Sequence, residues 1–488
     1  MKKKLVCIVL VMIFVLSTAV FAFANDFGSY EYGINEQTEI DAVLEEMAAL
    51  DAGTTLEELA EMGITLEELL EIDAEVDAVL GENYSVNERG ARHQHSLIQE
   101  GFMTARDGSV IYPEFYGGSA IDYDGKLVVF IVESELEYAH NHDTIGSLLD
   151  AGLRYRYVEY SFEELLSITD EIASTSSRRN DEQQCIYSYN VTLVFPDIFL
   201  NRVVVYIVEY NNQMIEGFKR YISDSPAVVL QQSGRITMGG DSENTTFHYN
   251  DVDWNYNNNY WDNIYQQEGI IPFNTTLNTG SLVRRRYLTG GGDYATVGFR
   301  VRCARTGTSG FLTTAGTTFR TGNDVIERGV GGRQVGRVRS AMWLYGRSGQ
   351  GVRGVNASFV EFTGSNQVSN TLPNGSNINP NLPVSMPIVG NWVNAYGGRS
   401  ASFLSGNIMT NHARHIYSGR YMYQMTYLRS QTGTTASGNS GGPVLTSAGN
   451  PVGLISGGDP GGVTVLMVPL YRVLDVFRIN NRYYLMRF

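Results

Sequence analysis

From Tyr294 to the C-terminus the chain is written in short apolar runs, each ended by Gly, Ser, Thr or Asn: ATVGFRVRC, GFLTTAGTTF, VNASFVEF, SGNIMT, GGPVLTS, NPVGLISGG and VTVLMVPL. Runs of this length suit strands, and turn-forming residues after each one send the backbone back on itself, so the pattern predicts an all-β sandwich or barrel. Leu470, Val473, Leu474 and Phe477 then fall at i, i+3, i+4 and i+7, which predicts one amphipathic helix closing the region. With 488 residues, 43% of them hydrophobic, and 52 glycines, the chain can build more than one core and many tight turns.

Upstream the text changes. Asp124-Gly125 is a turn signal ahead of the continuous apolar run Leu127 to Val132, and NRVVVYIVEY (Asn201 to Tyr210) echoes GKLVVFIVE. Between them Ser161 and Glu164 have capping-box spacing before a helix. Residues 99–235 therefore predict an α/β domain of two similar strand-helix units. Further upstream, Thr55/Glu58 and Thr65/Glu68 mark two short helices in an acidic leader, 25–98, which we expect to be solvated and without chemistry. Residues 236–282, rich in Asn and Tyr, have no convincing period and read as a connector; 283–488 is the β domain.

A positive start, an apolar run through Phe21 and the exit Ala22-Phe23-Ala24 predict a signal peptide, residues 1–24, cut after Ala24. The expected product is secreted, with no stable membrane span. Cys7 leaves with that peptide, so Cys185 and Cys303 remain, too few for a disulfide framework. The net charge of −16 is uneven: no Lys or Arg lies between Val6 and Glu88, whereas arginines outnumber carboxylates from Arg284 onward. Two readings stay open, attraction between an acidic leader and a basic domain, or two separately solvated halves. The arginines are scattered along strands, which argues against a nucleic-acid partner. His93/His95 and His140/His142 lack a third ligand at a usual spacing, so neither a metal nor another cofactor is expected.

Gly438-Asn439-Ser440-Gly441-Gly442 carries the chemistry. The pattern fits the G-x-S-x-G elbow of α/β-hydrolases, but that fold needs a histidine after the serine and none follows Ser440. SGNSGGPV resembles instead the nucleophile loop of the trypsin/chymotrypsin-like (S1) serine protease superfamily, in its bacterial streptogrisin and α-lytic protease branch. GLISGG (Gly453 to Gly458) resembles that family's substrate-binding strand, TVGFRV its first core strand, FLTTAGT the segment ending in the catalytic histidine, and VNASFVEF the strand that begins with the catalytic aspartate. The resemblance implies a mainly β fold: a two-barrel chymotrypsin-like domain preceded by an α/β pro-region-like domain and a short helical acidic leader. It implies Ser440 as nucleophile, N–H groups of Gly438 and Ser440 as oxyanion hole, and Ser456, Gly457 and Gly458 as the edge that pairs with an extended peptide or protein. It also implies a pro-region that assists folding and occupies the cleft, with GKLVVFIVE and NRVVVYIVEY as its strands.

The family's histidine falls on Thr317 and its aspartate on Asn356. Thr317 cannot act as a base near neutral pH, and Asn356 cannot stabilise an imidazolium. His412 and His415 read as surface residues; His248, with Asp251 or Asp253 behind it, is the other source of a base; Asp324 is a turn carboxylate. Three functions stay open: a degenerate peptide-binding homologue, an active endopeptidase with an unconventional base, or a cell-surface structural scaffold. Thr434, uncharged where the family often sets a pocket floor, does not indicate a preference for Lys or Arg. Arg284 to Arg286 offers an external protease a cutting site, since self-removal of the pro-region needs an active centre.

Overall fold

The computed structural model describes residues 80–479 apart from 82, 106–109, 178–181, 239–275, 286–293, 304–306, 316–324, 328–333, 344–350, 354, 365–366, 380–381, 399–402, 418–419, 434–438 and 460–461. The expected signal peptide and the two acidic leader helices lie outside these residues.

Residues 84–232 form one plan twice. Helix α1 (Tyr84–Glu100) precedes strands β1 (Tyr116–Ile121) and β2 (Leu127–Val132), helices α2 (Leu136–Asn141) and α3 (Asp143–Asp150), and strand β3 (Arg154–Val158). Helices α4 (Phe162–Ser177) and α5 (Glu182–Asn190) precede β4 (Val191–Asp197), β5 (Arg202–Ile207), α6 (Asn212–Tyr221) and β6 (Val228–Gln232). In each unit an antiparallel hairpin is followed by a helical crossover to a strand parallel with the hairpin's second strand. The two echoing runs of the sequence are β2 and β5, which are central in their sheets; that is why they are continuously apolar and not alternating. The turns are alike too. Asp122 Oδ1 accepts the N–H groups of Asp124 (3.0 Å) and Lys126 (2.9 Å), and Asp197 Oδ1 accepts that of Leu200 (2.9 Å). Ser161 caps α4 as its spacing predicts, its Oγ accepting the Glu164 N–H at 3.2 Å. Residues 84–98, placed in the leader by sequence, form most of α1, whose Ala91 and Ile98 are buried with β1 and β2 in one core.

A short strand β7 (Thr237–Met238) follows, and then the β region. Its first sheet comprises β8 (Leu282–Arg285), β9 (Tyr294–Thr296), β10 (Arg300–Arg302), β11 (Ser309–Thr313), β12 (Val325–Glu327), β13 (Gln334–Trp343) and β14 (Asn356–Phe362), in spatial order β9-β8-β12-β13-β14-β11-β10, all antiparallel. The second comprises β15 (Trp392–Tyr396), β16 (Phe403–Tyr417), β17 (Arg420–Ser430), β18 (Pro443–Thr446), β19 (Pro451–Gly458) and β20 (Thr464–Pro469). Its pairings run β17-β20-β19-β18-β15-β16 and return to β17, so six strands close a barrel. Val393, Leu404, Leu428, Val444, Ile455 and Val465 form one of its buried clusters. Helix α7 (Leu470–Ile479) closes the region with Leu470, Val473 and Phe477 buried, as its spacing predicts.

The barrel and the α/β region share a sheet. Strand β16 pairs with β17 on one side and with β4 on the other, at Arg414↔Val194 and His415↔Leu193. This overturns the expectation that His412 and His415 are surface residues: His415 is fully buried beneath that junction, and His412 packs against the ring of Phe162 at 5.3 Å.

Candidate active site and peptide cleft

The Ser440 loop is held from two directions. The Ser440 carbonyl accepts the N–H of Thr296 (2.8 Å) at the end of β9, while the Gly441 N–H donates to Ile455 O (2.6 Å) in β19. Gly441 sits at φ 91°, and a Cβ there would lie 2.6 Å from Thr296 O, so both conformation and space demand glycine. The loop thus fastens the first sheet to the closed barrel at the nucleophile.

Ser440 is 5% exposed, and its Oγ donates to the carbonyl of Ser456 at 3.3 Å. Among the described residues no histidine or carboxylate hydrogen-bonds it. Asn356, first residue of β14 and fully buried, accepts the Ala315 N–H on Oδ1 (2.9 Å) and donates from Nδ2 to Ser456 Oγ (2.8 Å). An aspartate would accept at both positions; the amide donates at one of them and carries no charge. Four segments therefore converge: the loop after β11, the start of β14, β19 and the Ser440 turn. Thr317, Gly438 and Thr434 lie outside the described residues, as does His248. The described histidines are engaged elsewhere. His95 Nδ1 meets Ser119 Oγ at 2.9 Å, His142 caps α3, and His412 and His415 sit under the α/β region. Burial, with nearby arginines for the first two, lowers His95 to about 4 and His412 to about 3, and burial lowers His415 to about 4, so all three are neutral at pH 7.

The Ser456-Gly457-Gly458 edge is occupied by this chain itself. Strand β7 runs antiparallel to it, Met238 opposite Gly457 and Thr237 opposite Gly458. Just before β7, Ile236 is 1% exposed, its carbonyl lies 3.4 Å from His415 Nε2, and the Gly234 N–H bonds the Asp459 carboxylate.

The sequence gave no warning of the interface that holds the α/β region in place. Ile121 N–H donates to Val389 O at 2.8 Å, and a Cβ on Gly390 would collide with Ile121 O. Beside it Glu88 Oε1 pairs with Arg92 Nη2 (2.6 Å), Glu88 Oε2 accepts Ser447 Oγ (3.1 Å), and Arg92 also bonds Asn391. Glu88 and Arg92 are spaced i, i+4 on a helix, the one signal available; in sequence that pattern looks like any solvated pair. Asp170–Arg414 (2.8 Å) and the Tyr206–Tyr427 hydroxyl pair (2.9 Å) complete the contact. Among the described residues no cluster could hold a metal ion, and no helix is long and apolar enough to cross a membrane.

Residues 80–151 match the family described as the Pro-like N-terminal domain, and residues 163–233 the Pro-like C-terminal domain. A search of curated proteins returns no match. Similar solved structures include Thermobifida fusca Protease A, at 19% identity and TM-score 0.34 over 44% of this chain and 100% of that one. A glutamic acid specific serine protease aligns at 20% identity and TM-score 0.33 over 41% and 98%. A chymotrypsin of Cellulomonas bogoriensis aligns at 17% identity and TM-score 0.33 over 44% and 100%. The closed barrel, the sheet stapled to it at Ser440 and the two Pro-like matches make this chain one with a chymotrypsin-like, S1-protease-type fold behind a two-part pro-region.

Proposed function

We propose that the protein is a secreted homologue of serine endopeptidases in which hydrolysis is impaired or lost and the cleft serves to bind extended peptide along Ser456, Gly457 and Gly458. The observation that carries this reading is Asn356, whose amide bridges Ala315 N–H and Ser456 Oγ where an ionised carboxylate would have to stand behind a base. A serine hydroxyl without a base is a poor nucleophile, and loss of triad members leaves about a thousandfold acceleration over water from the oxyanion hole and binding alone. Thr317 in the histidine position points the same way. Occupation of the Gly457-Gly458 edge by β7 supports peptide as the ligand class, because the edge offers backbone donors and acceptors to a strand. Export follows from the signal-like start, Met1 to Ala24.

A fluorophosphonate probe applied to the purified protein and to Ser440→Ala tests the catalytic half of the reading. We expect no labelling of either; labelling that disappears in the variant would establish an activated serine and an unconventional base.

A further inference from the structure

The segment seated in the cleft carries its own selectivity. The backbone of Gly234 faces Asp459, and a Cβ on Gly234 would stand 2.7 Å from Asp459 Cγ and 2.8 Å from Oδ2. The carboxylate has nowhere to retreat, because a Cβ on Gly462, on its other side, would stand 2.6 Å from the same Cγ. The Asp459 backbone is itself fixed, its N–H bonded to Thr464 O (3.1 Å) and its carbonyl to the Gly462 N–H (2.8 Å). Arg235 points to solvent and is unconstrained. Ile236 is 1% exposed and belongs to the core cluster that contains Leu193, Phe299, Val301 and Tyr427. Its carbonyl faces His415 Nε2, which as a donor reads backbone and not side chain. Beyond it the ladder to Gly458 and Gly457 reads backbone again.

We propose that the cleft is selective for extended peptides with the pattern glycine, any residue, large aliphatic residue, the glycine N–H on Asp459, the aliphatic side chain in the cluster and its carbonyl on His415. The chain's own Gly234-Arg235-Ile236 holds this place, and an external peptide of the same pattern competes with it. This rests on the reading of the cleft as a peptide site. It adds a sequence rule, which backbone pairing alone would not impose.

The tethered segment acts at an effective concentration in the millimolar range, so an outside peptide needs it weakened first. The probe is a fluorescein-labelled peptide of residues 232–238, QSGRITM, titrated by anisotropy into full-length wild type and full-length Gly234→Val, with Ile236→Ala as a second weakened chain. Gly234 is exposed, so its substitution strains the tether without opening the core; circular dichroism of both variants identifies the folded one. We expect the weakened chain to bind the probe at least about 10-fold more tightly than wild type, as release of a tethered competitor requires. Peptides with Val for the glycine or Asp for the isoleucine should bind at least about 10-fold more weakly, and one with Ala for the arginine within about 3-fold. Equal binding of all four peptides would overturn the sequence rule and leave peptide binding standing. Failure of the probe and of a randomised extended-peptide mixture to bind a folded, weakened chain would overturn both.

Discussion

In the first unit of the pro-region the sheet ends at β3, four of whose five residues are exposed, whereas in the second it continues through β4 into barrel strand β16. Both units touch the closed barrel, by different means. The first uses one backbone bond, Ile121 to Val389, and a buried charge network centred on Glu88; the second uses a shared ladder, a buried histidine junction and two side-chain pairs. The difference concerns tolerance. A ladder is made of backbone and survives most side-chain changes, while a buried network fails when one member is removed and leaves the others charged and unpaired.

The largest expected effect breaks the first attachment. Glu88→Ala strands Arg92, 9% exposed, without its carboxylate and should cost about 3–5 kcal/mol in urea unfolding. Hydrogen exchange should show the loss concentrated in α1 and residues 386–391; an effect spread evenly over β4 and β16 would mean the two attachments are not separate.

The next breaks the second attachment by pH. His412 and His415 hold pKa values of about 3 and about 4 when buried, against an ordinary 6.5, so the folded form disfavours their protonation. Stability is therefore full above pH 6.5 and falls as pH drops from there toward 4. At pH 5 each of the two should cost on the order of 2 kcal/mol. Urea midpoints at pH 7.5 and pH 5 check it, and His415→Gln should flatten the dependence. His95 places one such group in the first unit, so acid should loosen both units, the second more.

Smaller effects sharpen the contrast. Ser161→Ala removes the α4 cap and should cost about 1 kcal/mol without changing peptide binding, as read by thermal unfolding and anisotropy. Asp170→Asn, at a carboxylate more than half exposed, should cost less than about 1 kcal/mol despite its contact with buried Arg414; a larger loss would mean the ladder depends on that pair.

Much of this was legible in residue order. The apolar runs of β2 and β5 foretold central strands, Ser161 and Glu164 foretold a helix start, and SGNSGGPV with GLISGG foretold a loop bound to β19. These are local signals, in which the physics acts within a few residues. His412 and His415 were misjudged because their burial is supplied by β4, more than two hundred residues earlier, and nothing beside them in sequence marks it. The occupant of the cleft was hidden for the same reason. Gly234 and Ile236 look like the end of one domain and the start of a connector until Asp459 and His415 are brought against them.

The β4–β16 junction bears finally on solubility. Strand β16 at Arg414 and His415 has a neighbour on each side only because β4 supplies one of them. A form trimmed of everything before β7 would present that row of amide and carbonyl groups to solvent, an open template for a strand of another molecule. The pro-region thus acts as a cover that keeps the barrel from self-association, whatever becomes of the serine.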